Sequence, residues 1–415
     1  MNQKIITLAI ALLSIFSPNS FASEKPFEYP VHILPGSPSE AYGPFIRRAL
    51  MSDDITNMAS YVQQALNAGT RNLQWLDFLN SRRPDQIALT KPGDLPSHPI
   101  NKPNAYSPLT IENDFKALNT SIPESMRKII FENAGFTDTL SISVKDYIAW
   151  AKKVDKLYQI AARWTSLAPY LSSYARNKVN DIRGYYFLMK DSDLEKKLKN
   201  WNSLSIDVQN RLRIYLVNLC ENSSISTAQC DTNLNSAITQ NDVTGHFAKY
   251  VAKSKAIYNR YFKIAGIRRE LQWTSQNANL AVIPFRQTDP VIQNFLAVNI
   301  EDEWKWMGWQ LKLDFQSNAP VHVEFKAGVV PHVNGLGGDT IVMDKNASLN
   351  EWDVQWTIRH EFGHVLGFPD CYVEFYDSAA QQMVNYQIDV SDLMCSRVGK
   401  FKQNHFSEMK SVYCR

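Results

Sequence analysis

His360-Glu361-Phe362-Gly363-His364-Val365-Leu366-Gly367-Phe368-Pro369-Asp370 is the stretch from which the rest of this 415-residue chain is read. His360 and His364 stand one helical turn apart, so on a helix both imidazoles leave the same face and converge. Glu361 lies beside that point, where a carboxylate can take a proton from a water. Two neutral imidazoles suit Zn²⁺, which needs a third protein ligand and an open fourth position to be catalytic. Gly367 permits the left-handed conformation that ends a helix sharply, and Pro369 discourages the helix from resuming. The chain then turns back, and Asp370 can offer its carboxylate to the same ion. The pattern predicts a Zn²⁺ site of His360, His364 and Asp370, with Glu361 as general base.

The extended motif HExxHxxGxxD, followed by Ser391-Asp392-Leu393-Met394-Cys395, resembles the metzincin clan of zinc peptidases. In that clan a third ligand follows the helix and a methionine turn lies beneath the metal. Most metzincins carry His as third ligand. The Asp variant followed by Asp-Leu-Met is most similar to the snapalysin family of small secreted bacterial neutral proteases. Gly337 to Asp344 is similar to the strand those enzymes place before the zinc helix. The resemblance covers the last third of the chain and does not extend before about residue 270.

Several expectations follow from that resemblance. Met394 would pack under the ligands as an apolar floor. Tyr372 matches a tyrosine of the snapalysin pattern and would either hydrogen-bond a developing oxyanion or serve in packing. Ser396 stands where astacin-like and serralysin-like metzincins carry a switching tyrosine, so that ligand is absent. Glu374, Asp377 and His405 are rival third ligands. A Glu ligand would imply a thermolysin-like clan, whose Glu usually lies on a second helix farther on, so Asp370 is preferred. The substrate would lie as an added strand along the edge strand before the zinc helix. Residues 396–404 would shape the specificity pocket, with an aromatic residue favoured just after the scissile bond.

Composition bounds the remainder. The chain is 44% hydrophobic and 20% charged with a formal net charge of +3, an ordinary globular balance that argues for no nucleic-acid partner. Lys4, the apolar run Ile5 to Phe16, and Ser-Pro-Asn-Ser-Phe-Ala read as a secretory signal peptide cleaved after Ala22. No later run is apolar enough to span a membrane, so the mature protein is expected in the periplasm or outside the cell. Export permits disulfides among five cysteines. Cys220 and Cys230 flank a turn-rich segment and would close a local loop. Cys371 follows the third ligand and Cys395 follows Met394, so a bridge between them would clamp the two sides of the zinc site. Snapalysin-like enzymes tie this region similarly. Cys414 is left over, and sequence alone leaves the pairing open.

In chain order, Ile55, Met58, Ala59, Val62 and Leu66 predict one helix, and Leu73, Leu76 and Leu79 a second short one. Pro84, Pro92, Pro96, Pro99, Pro103 and Pro108 predict a linker or extended segment. Residues 109–270 read as mostly helical. Ser121 to Glu124 fits a capping box, and the stripes Val144 to Ala161 and Val208 to Leu219 have helical spacing. Trp150, Tyr158, Trp164, Tyr185, Tyr186 and Phe187 read as helix packing. His246, without partners at ligand spacing, reads as structural. From about 271 strands alternate with helices. These are Leu280 to Phe285, a helix capped by Asp289 and striped from Ile292 to Met307, Trp309 to Phe315, Val321 to Phe325, Thr340 to Met343, and the zinc helix from about 349 to 366. The chain reads as irregular from Asp370 through the methionine turn, then helical around Phe406 to Val412.

The expected class is α+β: a metzincin-like C-terminal domain of mixed twisted sheet, active-site helix, Met-turn and C-terminal helix, preceded by a mostly α-helical region. The expected divisions are a signal peptide (1–22), a helical segment with Pro-rich linker (23–108), a helical prodomain or accessory domain (109–270), and the catalytic domain (271–415). Arg268-Arg269 would be the processing site of a zymogen. The expected activity is a secreted zinc metalloendopeptidase acting on protein or peptide substrates. The sequence carries no recognisable calcium loop. The rival reading is an exported helical binding or effector protein with a structural zinc and no proteolysis.

Overall fold

The computed structural model describes residues 53–91, 104–378 and 380–414. The signal-peptide reading of 1–22 and the proline-rich residues 92–103 lie outside the described residues. The fold is α+β, with helices dominating the N-terminal part and small sheets the C-terminal part. Where two helices were expected at the start, one runs unbroken as α1 (Asp53–Asn80). Its middle is tied to neighbours, because Arg71 donates to the carbonyl of Ile129 at 3.0 Å and Asn72 to that of Ala151 at 3.1 Å. Tertiary bonds of this kind sustain a helix across a locally polar stretch.

Strand β1 (Asn104–Tyr106) leads into α2 (Pro108–Ser121), α3 (Glu124–Ile130) and α4 (Val144–Leu167). The capping box expected at Ser121 does not form. Ser121 ends α2 and its hydroxyl donates to Ala117 O, while Ser107 supplies a capping box at the start of α2. Helices α1 to α4 enclose a core of Trp75, Leu76, Leu79, Ile111, Met126, Tyr147 and Tyr158. Next come α5 (Leu171–Arg176), α6 (Arg183–Met189), α7 (Leu194–Lys199), α8 (Ile206–Glu221), α9 (Thr227–Thr239) and α10 (Val243–Arg260). Helices α6 to α10 build a second core around Tyr185, Trp201, Leu216 and Tyr250, tied by the Cys220–Cys230 disulfide. His246 is buried there with Nε2 3.4 Å from Leu216 O, and burial lowers its pKa.

The C-terminal part begins with β2 (Leu280–Arg286) and α11 (Pro290–Leu296), which Asp289 caps by accepting from Val291 N at 2.8 Å. The helical stripe stops short of Met307. A π-helical turn and β3 (Lys305–Trp306) intervene, and Met307 sits 90% exposed at the hairpin tip. Strands β4 (Trp309–Gln316), β5 (His322–Lys326), β6 (His332–Val333) and β7 (Thr340–Asp344) follow. β2 and β4 pair in parallel, as do β5 and β7, and a parallel bridge from Phe285 to Val321 joins the two pairs. The spatial order is β3–β4–β2–β5–β7–β6, with the short β3 and β6 antiparallel at the two edges.

Helix α12 (Trp352–Val365) carries the two histidines, with Ile358, Phe362 and Val365 wholly buried beneath it. The irregular stretch expected after Asp370 is instead a hairpin, β8 (Tyr372–Asp377) and β9 (Gln382–Gln387), to which β1 adds a third strand. Tyr372, Val373, Phe375, Met383, Val384 and Tyr386 are all buried in it. Helix α13 (Gln403–Tyr413) closes the chain.

The N-terminal helices are joined to this part by buried polar bonds. Glu351 accepts from Leu89 N at 2.7 Å and Thr90 N at 3.2 Å, Tyr158 donates to Asp344, and Tyr386 donates to Asp181. Arg268, expected at a processing site, is 5% exposed. Its guanidinium donates to Gly337 O and Gly338 O, each at 2.8 Å, and pairs with Asp339 and Glu270. No helix among the described residues is long and apolar enough to cross a membrane.

Candidate metal centre

The site forms where α12 ends. Leu366 is its C-cap residue, and Gly367 takes φ +84°, a left-handed conformation that a Cβ disfavours. The turn brings Asp370 back to the helix face, so that its Oδ1 lies 3.2 Å from Nε2 of both His360 and His364. The two Nε2 atoms are 3.1 Å apart. These three donor atoms could hold one metal ion.

The second nitrogens decide what the first ones present. His360 Nδ1 is 2.7 Å from Leu393 O, and His364 Nδ1 is 2.8 Å from Phe368 O. A carbonyl only accepts, so each Nδ1 carries a hydrogen and each ring turns its Nε2 inward. Tyr372 donates to Asp370 Oδ2 at 2.6 Å, leaving Oδ1 toward the histidines. Three electron-rich atoms thus converge on one point. Glu361 is 0% exposed, and neither of its carboxylate oxygens has a hydrogen-bond partner. Burial, with the nearby Asp370, pushes its pKa up to about 8 against the pull of His360.

The floor comes from the methionine turn. Met394 is 1% exposed and its sulfur lies against Gly363, where a Cβ would collide with it. Cys371 N donates to Met394 O at 3.0 Å, and the Cys371–Cys395 disulfide ties the start of the β8–β9 hairpin to this turn. Asp392 accepts from Met394 N at 2.9 Å and pairs with His405 Nε2 at 2.9 Å. Burial would raise Asp392, yet the hydrogen bond from His405 holds its carboxyl below the usual range. Cys371, Asp392 and Cys395 also cluster, but both sulfurs are spent in the disulfide.

Comparison with known protein families, curated proteins and solved structures found no match. The geometry of the chain itself therefore carries the functional argument.

Of the residues singled out by sequence, the fold gathers His360, Glu361, His364, Asp370, Tyr372 and Met394 at one point. Among the rival ligands, His405 is engaged by Asp392 and Glu374 by Arg163. Cys414 is the free cysteine. Sequence reasoning missed Arg163, which lies on α4, is 1% exposed, and donates through Nε to Glu374 Oε1 at 3.0 Å. A lone arginine on a helical stripe carries no spacing signal, and only the ion pair from α4 to β8 reveals it.

Proposed function

We propose that the protein is a zinc-dependent endopeptidase of metzincin-like, snapalysin-like type. The observation that carries this reading is the convergence of His360 Nε2, His364 Nε2 and Asp370 Oδ1 beside the unpartnered carboxylate of Glu361. Such a donor set suits a cation, and two imidazoles with one carboxylate suit Zn²⁺. A tetrahedral ion with bonds of about 2.0 Å has ligand–ligand edges of about 3.3 Å. The edges here are 3.1, 3.2 and 3.2 Å, so the residues fit the ion. The strand order β3–β4–β2–β5–β7–β6 ahead of the motif helix, and Met394 packed beneath that helix, support the clan assignment.

Bound zinc supplies Lewis acidity that polarises a scissile carbonyl and acidifies a water molecule. Every other part falls to the chain. The carbonyls of Leu393 and Phe368 fix the tautomer and tilt of the two imidazoles. The Tyr372 hydroxyl, spent on Asp370, orients the third ligand. Glu361 accepts a proton as the water oxygen bonds to the carbonyl carbon, then delivers it to the nitrogen as the C–N bond breaks. The two disulfides support an exported protein.

The test is hydrolysis of denatured casein by the purified full-length mature protein, beside Glu361→Ala and a chelator-treated sample. Loss of activity in both controls is expected. A zinc-loaded Glu361→Ala variant that cuts casein as fast as wild type would overturn the reading. A folded wild type that retains zinc through a fourth side-chain ligand would favour a structural site instead.

A further inference from the structure

We propose that residues 162–176, the last turn of α4 with α5, form an intramolecular lid that the Arg163–Glu374 ion pair holds shut over the metal centre. A peptide reaches Glu361 only after that lid has moved. The consequence for activity rests on the peptidase reading above, whereas the geometry of the lid does not.

The first observation is burial. His360 is 1% exposed, Glu361 and His364 are 0%, and Asp370 is 9%. Peptide hydrolysis requires a carbonyl carbon to come within bonding reach of a water that Glu361 also touches. A polypeptide strand cannot make that approach to side chains so completely covered. The second observation is what lies across the cleft. Ala162, Leu167 and Tyr174 share one buried cluster with Val330, Tyr106 and Met383. Val330 stands just before the edge strand β6, where an extended substrate would pair. Met383 stands on β9, in the three-stranded hairpin sheet that follows Asp370. Residues 162–176 therefore bridge two walls of the site.

The third observation is the clasp. Arg163 is 1% exposed and Glu374 6%, joined through Nε at 3.0 Å and through Nη2, while Tyr106 donates to the same Glu374 oxygen at 3.1 Å. Glu374 lies on β8, the strand that begins with Tyr372, whose hydroxyl donates to Asp370. Arg163 Nη1 is buried without a hydrogen-bond partner, so closure carries an uncompensated polar cost. A buried ion pair also gains little over its solvated ions. A contact of this kind holds a closed state without making it irreversible. Residues 168–170 form a separate 3-10 turn containing Pro169, a natural pivot between α4 and α5. Cleavage at Arg268-Arg269 is not the opening step this geometry favours, since Arg268 is bonded into the Gly337–Asp339 turn.

The experiment uses the full mature chain as wild type, Glu374→Gln and Tyr174→Ala, with two readouts. Amide hydrogen exchange in β6, β8 and residues 162–176 reports the lid, and hydrolysis of a quenched fluorescent peptide reports the chemistry. Exchange in those segments is expected to rise at least tenfold in each variant, with α8 to α10 unchanged and peptide hydrolysis rising by a similar factor. Unchanged exchange in both variants would overturn the lid. So would global loss of protection in both, which would mark an integral wall, or a wild type that already cuts the peptide as fast as its variants. Faster exchange with no hydrolysis by any sample would leave the lid standing and overturn the peptidase reading.

Discussion

The carbonyl oxygen of Gly266 occupies the space that a Cβ on Gly367 would need. Gly367 ends the motif helix at φ +84°, and its own carbonyl accepts from Ala265 N at 2.9 Å. The irregular segment leaving α10 is thereby pressed against the turn that leads to Asp370. Replacing Gly367 by Ala adds left-handed strain of about 1–2 kcal/mol and a backbone collision besides. The expected outcome is a fall in stability of about 3 kcal/mol or more, measured by thermal melting, together with weakened metal retention. A Gly367→Ala variant that melts with wild type and keeps its metal would show that this junction does not set the ligand turn.

Tyr372 orients Asp370 through a 2.6 Å hydrogen bond while remaining buried. Tyr372→Phe keeps the ring and removes only the donor. Metal affinity is expected to drop about 10–100-fold, the usual loss when such a supporting bond to a ligand is removed. Competition with a fluorescent zinc chelator measures it, and an unchanged affinity would reassign Tyr372 to packing or to the oxyanion.

The Cys371–Cys395 disulfide closes a loop with a sequence separation of 24 residues that contains the whole β8–β9 hairpin. A loop of this size is expected to contribute about 3 kcal/mol through the unfolded chain. Replacing both cysteines by serine should lower the denaturation midpoint accordingly and loosen the methionine turn. The Cys220–Cys230 pair lies in the second helical core, so its removal should lower stability while leaving zinc affinity alone.

Asp155 on α4 looks across a cavity of about 60 Å³ toward Glu351, Asp353 and Arg397. Burial, then the charge of Asp353, pushes Asp155 up to about 7, and burial pushes Glu351 up to about 7 against its bonds from Leu89 and Thr90. Between roughly pH 4 and pH 7 the folded chain therefore holds protons that the unfolded chain has released. Stability falls as pH rises through that window and is fullest below it. Asp155→Asn, which cannot ionise, should melt a few degrees (about 2–4 °C) above wild type at pH 8 and match it near pH 4. Equal melting temperatures at pH 8 would show that this carboxyl bears no such penalty.

Much of this architecture was legible because it depends on local spacing. A helical turn between His360 and His364 and a glycine at 367 act over a few residues, so they could be read without a fold. Alternation in Trp309 to Phe315 and the stripe from Val144 to Ala161 named a strand and a helix for the same reason. The β8–β9 hairpin was missed although its residues are apolar enough. Glu374 and Asn385 interrupt the pattern, and both are buried by partners or neighbours distant in sequence.

Sequence alone determined which residues share the motif helix face, where that helix stops, and that cysteines flank both the ligand strand and the methionine turn. Only the tertiary structure decided that Asp370 meets both Nε2 atoms at 3.2 Å, that β1 joins β9, and that Arg163 reaches Glu374 over the site. The physical reason is range. Backbone conformation and side-chain periodicity are fixed by neighbours one turn or one pleat away. The closing of a cleft depends on apolar clusters and ion pairs between segments some 200 residues apart, such as Arg163 with Glu374, and their pairing exists only once the chain has packed.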